Sequence, residues 1–332
     1  MALAGSMVYS NAAEPTLLDP PMDAYGRTVN SLRIQLNAVC NFSCIFCHME
    51  GTGINSNEMT PAEIERIVEI AAANGVTRVK FTGGEPLLRR DIIEIISRTR
   101  KHVRGDLSLT TNGVQLSKLA FDLKKAGLDR VNISLHSTDP SGFAQITGMN
   151  AMDRVIEGLA AAKEAGLNPI KLNFVALNGV NVHQIPEMME MCANEGVTLQ
   201  IIELEATKTG EKTEFFRKYH YDILPLEREI AGKATGREKN MLHGRYRYTV
   251  DHLGKPLIVE FVRPMHNADF CMSCTRLRVT STGKLKTCLM RNDNQTDVLP
   301  ILRGDNDTGS LTGAYRSAVG RREPYWRRED ET

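Results

Sequence analysis

Between residues 31 and 205, short β-rich runs alternate with amphipathic stretches, and this alternation restricts the fold more than any other feature of the chain. The strand-like runs are "LRIQLN" (32–37), "TRVKFTGG" (77–84), "LSLTTNG" (107–113), "RVNISLH" (130–136), "IKLNFVAL" (170–177) and "VTLQIIELE" (197–205). Helix-like stretches fill the gaps: "TPAEIERIVEIAAANG", "RRDIIEIISRTRKH", "LSKLAFDLKKAG", "AMDRVIEGLAAAKEAG" and "VHQIPEMMEMCANEG". The first of these marks its own limits, with Thr60 as N-cap, Pro61 at the first helical position, Glu63 closing a capping box and Gly75 as the stop. Such alternation implies βαβ units and a parallel sheet. A doubly wound sheet and an incomplete barrel both satisfy it. Residues with chemical potential gather just after the strand ends, which suits a barrel mouth. The expected fold is therefore α/β, an incomplete (βα)6 TIM-like barrel.

After residue 205 the alternation stops. "KTGEKTEFFRKYH" reads as a loop or short helix, and two hairpins are expected at 245–262 and 276–290, each around a glycine-containing turn. The expected organisation is an N-terminal extension (1–25), a partial barrel (26–205) and a smaller C-terminal α+β extension (206–332). The arginine-rich end "RSAVGRREPYWRREDET" reads as a solvated, partly mobile tail. A net charge of +1 and the lack of a basic stretch interleaved with aromatics argue against a nucleic-acid partner. Apolar runs fall well short of the roughly 18 residues a membrane helix needs. The start, "MALAGSMVYS", lacks the charged-then-apolar order of a signal peptide and leaves open a cloned extension before Met7. A cytoplasmic location is expected.

The seven cysteines fall as two tight triplets, Cys40, Cys44, Cys47 and Cys271, Cys274, Cys288, around a lone Cys192. An odd count in two triplets argues for metal ligation over a disulfide framework. Cys192 lies in a helix-like stretch and reads as a small buried apolar residue. Structural zinc wants four ligands, usually as two separated pairs, so the first triplet fits it poorly, although His48 is at hand as a fourth. A cubane iron–sulfur cluster on three cysteines keeps one iron open to a small molecule. In the second triplet Arg276 and Arg278 alternate on one expected strand and point to one face. Arginine forks match phosphate oxygens, so an open iron beside two arginines suggests a purine nucleotide as substrate.

The C-x3-C-x2-C spacing after the first strand, followed by "GGEP" (83–86) after the second, resembles the radical S-adenosylmethionine (SAM) enzymes. Further stretches run in the order of one branch of them: "GR" (26–27), "SLRI" (31–34), "VKFTGGEPLLRRD" (79–91), "LTTNGV" (109–114), "NISLHSTDP" (132–140), "FAQITG" (143–148) and "CMSCTRLRVTSTGKLKTCL" (271–289). Together they resemble the GTP 3′,8-cyclase family, molybdenum-cofactor biosynthesis protein A, over about nine tenths of the chain. The resemblance implies two [4Fe–4S] clusters: one on Cys40, Cys44 and Cys47 that binds SAM, and one on Cys271, Cys274 and Cys288 that binds the substrate. It implies that SAM, bound at the first cluster and given one electron, yields methionine and a 5′-deoxyadenosyl radical. That radical takes the 3′ hydrogen of GTP, the ribose carbon joins C8 of guanine, and reduction gives 3′,8-cyclo-7,8-dihydro-GTP. Matching positions for SAM are Phe46, Gly83, Gly84, Glu85 and Ser134. For GTP they are Arg33, Lys80, Thr110, Lys171, Arg276, Leu277 (through its backbone) and Arg278. Implied partners are a low-potential electron donor of ferredoxin or flavodoxin type and the downstream cyclic pyranopterin monophosphate synthase, with homodimerisation left open.

Several residues depart from the common bacterial pattern of that family. Gln200 stands where an arginine is usual, Glu205 where a methionine is usual, His136 replaces an aspartate, Lys80 an arginine, and "CHMEG" follows the third cysteine. These resemble the archaeal branch. The family commonly ends in two glycines that reach into the active site, whereas this chain ends "RREDET", with Arg316, Arg321, Arg322, Arg327 and Arg328 in the tail. The alternatives are a two-cluster radical SAM enzyme acting on another nucleotide or a peptide, a non-catalytic iron–sulfur protein, and a zinc protein.

Overall fold

The computed structural model describes residues 18–51, 57–240 and 242–328. The start of the chain, with the question of Met7, lies outside the described residues, as do the last four residues.

The six expected strands form, in order: β1 (Ser31–Gln35), β2 (Arg78–Thr82), β3 (Leu107–Thr111), β4 (Arg130–Ser134), β5 (Lys171–Ala176) and β6 (Thr198–Glu203). They pair in that order, each parallel to the last. Between them run α1 (Pro61–Ala73), α2 (Ile92–Arg100), α3 (Leu116–Lys125), α4 (Pro140–Thr147), α5 (Met152–Glu164) and α6 (Ile185–Glu195). The capping box at Thr60 is formed in full: its backbone N–H donates to Glu63 Oε2 at 2.7 Å, and its hydroxyl accepts from Glu63 N. The sequence reading passed over α4, a two-turn helix capped by Asp139 and ended by left-handed Gly148 (φ +72°), because it does not separate two strands. Leu32, Ile34, Phe81, Leu109, Ile133 and Leu172, all buried, face the helices and form the core with their apolar stripes. Cys192 is wholly buried there, as expected of a small apolar residue.

The remaining chain adds α7 (Glu214–Tyr219), α8 (Leu224–Lys233), β7 (Ala234–Lys239), β8 (Tyr246–His252), β9 (Lys255–Val262), α9 (Ala268–Met272), β10 (Arg276–Val279), β11 (Lys284–Lys286), β12 (Thr296–Asp297), α10 (Leu299–Arg303) and α11 (Thr308–Gly320). Both expected hairpins are present, β8–β9 and β10–β11. They do not build a sheet of their own. β9 joins β6 and β10 joins β1, each in parallel, giving one 12-stranded sheet in the order β12-β11-β10-β1-β2-β3-β4-β5-β6-β9-β8-β7. The partial barrel is thus extended at both edges by strands from the C-terminal third.

The reading of a mobile tail is overturned for residues 316–328. Helix α11 buries Leu311, Tyr315, Ala318 and Val319, and beyond it Arg322 is 1% and Trp326 3% exposed. Four exposed arginines, Arg316, Arg321, Arg327 and Arg328, surround the buried Arg322, Tyr315 and Trp326, and in sequence they hide that buried pattern. Among the described residues no helix is long and apolar enough to cross a membrane.

Candidate active site

One cavity of about 410 Å³ is lined by both cysteine triplets and by residues from β1 through β6, β10 and the tail. That is ample for a ligand of nucleotide size.

The first triplet lies in the loop after β1. Ser43 N and Ile45 N donate to Thr147 O (2.9 Å) and Ile146 O (3.0 Å), so the end of α4 props this loop from below. Cys47 N closes a tight turn onto Cys44 O at 3.0 Å. "GGEP" runs alongside the chain just before Cys40: Gly84 N donates to Asn37 O and Glu85 N to Val39 O. A Cβ on Gly83 would sit 2.2 Å from Asn37 Oδ1, and one on Gly84 would sit 2.3 Å from Val39 O, so only glycine permits this approach. Glu85 lines the cavity with its carboxylate already engaged. Its carboxylate accepts from Leu87 N (2.9 Å), Thr111 Oγ1 (2.8 Å) and Asn112 N (2.7 Å), which tie β2 to β3. Burial pushes its carboxyl up to about 7 against those three donors. These bonds fix this edge of the site. Phe46 packs edge-on against His136 at 4.8 Å. His136, where an aspartate is usual, is buried and brought down to about 4, and its Nδ1 accepts from Val175 N. A neutral imidazole fits this apolar wall where a carboxylate would not. Ser134 ends β4 on the cavity wall.

The second triplet spans α9, the start of β10 and the segment after β11. Arg27 Nη1 donates to Cys271 O at 2.8 Å, Arg322 Nη2 donates to Cys274 O, and Trp326 N approaches Cys271 Sγ at 3.4 Å. The tail, which the sequence reads as solvated with an approach to the triphosphate as the alternative, touches this site through Arg322 and Trp326.

Sheet register explains the convergence of cations. Arg278, Arg33 and Lys80 are cross-strand neighbours on β10, β1 and β2; Thr110, Asn132 and Lys171 are neighbours on β3, β4 and β5. Neighbouring strands lie about 4.8 Å apart, so like charges side by side are costly unless an anion lies among them. Arg33 Nε, Arg245 Nε and Arg276 Nε are buried without a hydrogen-bond partner. Burial and the neighbouring Arg278 bring Arg33 down to about 10. Leu277, between the two arginines, is fully buried and its side chain packs in the core, so only its backbone is placed for the expected contact.

Three of the expected GTP ligands, Arg33, Arg278 and Lys171, are already paired with carboxylates. Glu50 lies between Arg278 (2.5 Å) and Arg33 (3.7 Å), on a backbone turned to φ +51°. Burial opposes its charge, but Arg278 and Arg33 outweigh burial and hold its carboxyl at about 2. Lys171 Nζ donates to Glu260, which also accepts from Gln200 Nε2 at 2.8 Å. Gln200 thus stands beside a carboxylate in place of the usual arginine. Lys80 Nζ donates to Asn132 Oδ1 at 2.8 Å. Glu50, Glu260 and Arg245 have no signal of their own in the sequence beyond the departure at "CHMEG", whereas Arg322 is one of the tail arginines named from sequence.

The thiols fit iron–sulfur ligation better than a single ion. No three His, Cys, Asp or Glu side chains among the described residues converge tightly enough for one metal ion. Cluster thiolates stand wider, each on its own iron. Burial first, then the other thiols, pushes Cys44 up to about 12, and burial pushes Cys288 up to about 11, so both stay protonated until a metal replaces the proton.

Residues 34–192 match the radical SAM superfamily, and residues 197–328 match Molybdenum Cofactor Synthesis C. A protein of Thermoplasma volcanium named probable GTP 3′,8-cyclase is 53% identical over 309 residues, covering 93% of this chain and 94% of the relative. The chain belongs to the GTP 3′,8-cyclase family. A second member of the family, from Thermococcus kodakarensis, is 46% identical over 92% of this chain and 99% of its own. Both relatives are archaeal, in line with the departures at Gln200, Glu205 and His136. As a family of radical SAM enzymes, the GTP 3′,8-cyclases carry two [4Fe–4S] clusters and use SAM. Among solved structures, Streptococcus suis SuiB bound to precursor peptide SuiA superposes with a TM-score of 0.63 at 20% identity, covering 88% of this chain and 68% of SuiB. Native anSMEcpe with bound AdoMet gives 0.53 at 17%, covering 80% and 76%. These two share the fold.

Proposed function

We propose that this chain is a radical SAM GTP 3′,8-cyclase, converting GTP and SAM to 3′,8-cyclo-7,8-dihydro-GTP, methionine and 5′-deoxyadenosine in the first step of molybdopterin biosynthesis. The observation that carries the reading is that both cysteine triplets and the register-aligned cations line one cavity. Two electrons and one proton enter per turnover, and the 3′ hydrogen of GTP ends on 5′-deoxyadenosine. Bound at Cys40, Cys44 and Cys47, the first cluster supplies the open iron and the electron that SAM cleavage requires. Gly83 and Gly84 let their strand end lie against the cysteine loop, and Phe46 and Ser134 bound the space for SAM. Arg276, Arg278, Arg33 and Lys80, with Thr110 beside them, hold the triphosphate and ribose, while Cys271, Cys274 and Cys288 hold the cluster that meets the guanine. Glu50 marks the phosphate position: its carboxylate fills the Arg33–Arg278 pair until the triphosphate displaces it. Lys171 exchanges Glu260 for the substrate in the same way.

A low-potential electron donor and a downstream cyclic pyranopterin monophosphate synthase follow from the same reading. A cytoplasmic location belongs to the same reading, in which six of the seven cysteines would hold clusters and none is joined in a disulfide. The test is an anaerobic reaction of reconstituted enzyme with SAM, dithionite and GTP, read by mass spectrometry. A cyclised GTP product alongside 5′-deoxyadenosine is expected. 5′-Deoxyadenosine with intact GTP would sink the substrate assignment and leave the radical chemistry standing.

A further inference from the structure

The "GR" at residues 26–27 has no part in the chemistry above, yet it is built into the molecule with unusual care. Asp23 Oδ1 accepts from Tyr25 N (2.9 Å) and Arg27 N (3.0 Å), and Gly26 supplies the left-handed turn (φ +74°) that closes the loop. Asp23 Oδ2 then accepts from Arg27 Nε at 2.8 Å and lies 3.3 Å from Arg322 Nη1. The Asp23 and Arg322 side chains are 0% and 1% exposed. Two guanidiniums share one carboxylate here, and Arg27 Nη2 and Arg322 Nε are buried with no hydrogen-bond partner. Buried positive charge in excess is costly unless something negative lies close.

Both arginines point at the same target. Arg27 Nη1 donates to Cys271 O, which also accepts from Cys274 N at 3.1 Å, and Arg322 Nη2 donates to Cys274 O. Arg322 Nη1 further reaches Arg27 O and Thr28 O, both at 3.3 Å. The carbonyls of the two cysteines in C-x2-C are thus each held by one arginine, and the arginines are held together by Asp23.

We propose that Asp23, Arg27 and Arg322 form a positioning clamp, drawn from both ends of the chain, that orients Cys271 and Cys274 and sets the retention and reduction potential of the second cluster. The clamp rests on the reading that the second triplet holds a cluster. Positive charge near an iron–sulfur cluster favours its reduced form, and backbone geometry at the ligands decides whether the thiolates meet their irons.

The test compares wild-type, Arg322→Gln, Arg27→Gln, Arg322→Lys and Asp23→Asn chains, reconstituted anaerobically and purified as the folded fraction by size exclusion. Iron content and a redox titration of the second cluster's paramagnetic resonance signal are the readouts. Expected are about eight irons per wild-type chain and loss of up to half of them in the glutamine variants. Clusters that survive should show a lowered midpoint potential. Cleavage of SAM without GTP should persist. Arg322→Lys keeps a charge but cannot reach Cys274 O together with the Arg27 and Thr28 carbonyls, so it should restore the potential more than the iron content. Asp23→Asn, which leaves both arginines in place, should loosen the cluster less than either glutamine variant. A purely structural role would lower the melting temperature of the cluster-free chains and leave iron and potential of the folded fraction at wild-type values, and that outcome overturns the clamp. Wild-type iron near four would overturn the second cluster itself, and the clamp with it.

Discussion

The two cysteine triplets have the same arithmetic and opposite construction. Cys40 and Cys47 are exposed on a loop that the barrel supports through backbone hydrogen bonds from Ser43, Ile45, Gly84 and Glu85. Cys271, Cys274 and Cys288 are half-buried and braced by charged side chains, including Arg27, 244 residues from the carbonyl it holds. An open loop suits a co-substrate that must enter and leave at every turnover. A braced, enclosed site suits a cluster that holds a substrate still while a radical is passed to it. The difference teaches that equal ligand sets are distinguished by what holds their backbone.

The largest test of that contrast is to remove one thiol from each side. Cys44→Ala should reduce 5′-deoxyadenosine formation to background. Cys288→Ala should keep SAM cleavage while cyclised GTP disappears. If both variants lose SAM cleavage equally, the division of labour is wrong.

Next in size, Arg276→Ala should weaken GTP binding by about 30- to 100-fold, the value of about 2–3 kcal/mol expected for a charge-assisted contact. Binding by calorimetry under anaerobic conditions checks it, and unchanged GTP affinity would falsify a phosphate role for Arg276.

Glu50→Gln should act in the reverse direction. Removing the resident anion should tighten GTP severalfold, while the ligand-free chain loses about 1–3 kcal/mol through unmet repulsion between Arg33 and Arg278. Weaker GTP binding in this variant would show that Glu50 works with the substrate rather than in its place.

The smallest effect is in pH. Burial brings Lys171 to about 8, despite Glu260, and burial together with Arg278 brings Lys286, whose Nζ donates to Glu50 O at 3.1 Å, to about 8. A bound triphosphate favours both charged forms, so GTP binding takes up protons above that value. Affinity should be level below pH 7 and fall by about tenfold per lysine involved by pH 9. Lys171→Arg should flatten the profile. A pH-independent affinity from 7 to 9 would remove both lysines from the site.

Much of this site was legible before folding was considered. Thr60, Pro61 and Glu63 announce α1, and apolar periodicity announces every strand of the parallel core, because each signal depends on neighbours a few residues apart. The cysteine spacings and "GGEP" identified the chemistry for the same reason. The bonds that hold Glu85 were not legible because two of its three donors come from a different strand end, and α4 was missed because nothing local ties Pro140–Thr147 to the loop it supports. Glu50 and Glu260 escaped because a carboxylate between cations looks, in sequence, like any surface acid.

Sequence by itself determined the βα alternation, the two ligand triplets and the arginines alternating on β10, since all of these are periodic or short-range patterns. Only the tertiary structure decided that β9 and β10 extend one sheet at both edges, that Arg278, Arg33 and Lys80 fall in one row, and that Arg27 and Arg322 meet at Asp23. The physical reason is that register and burial are settled by the free energy of the whole sheet and core, in which residues hundreds of positions apart become neighbours and a charge is tolerated only where its partner also arrives.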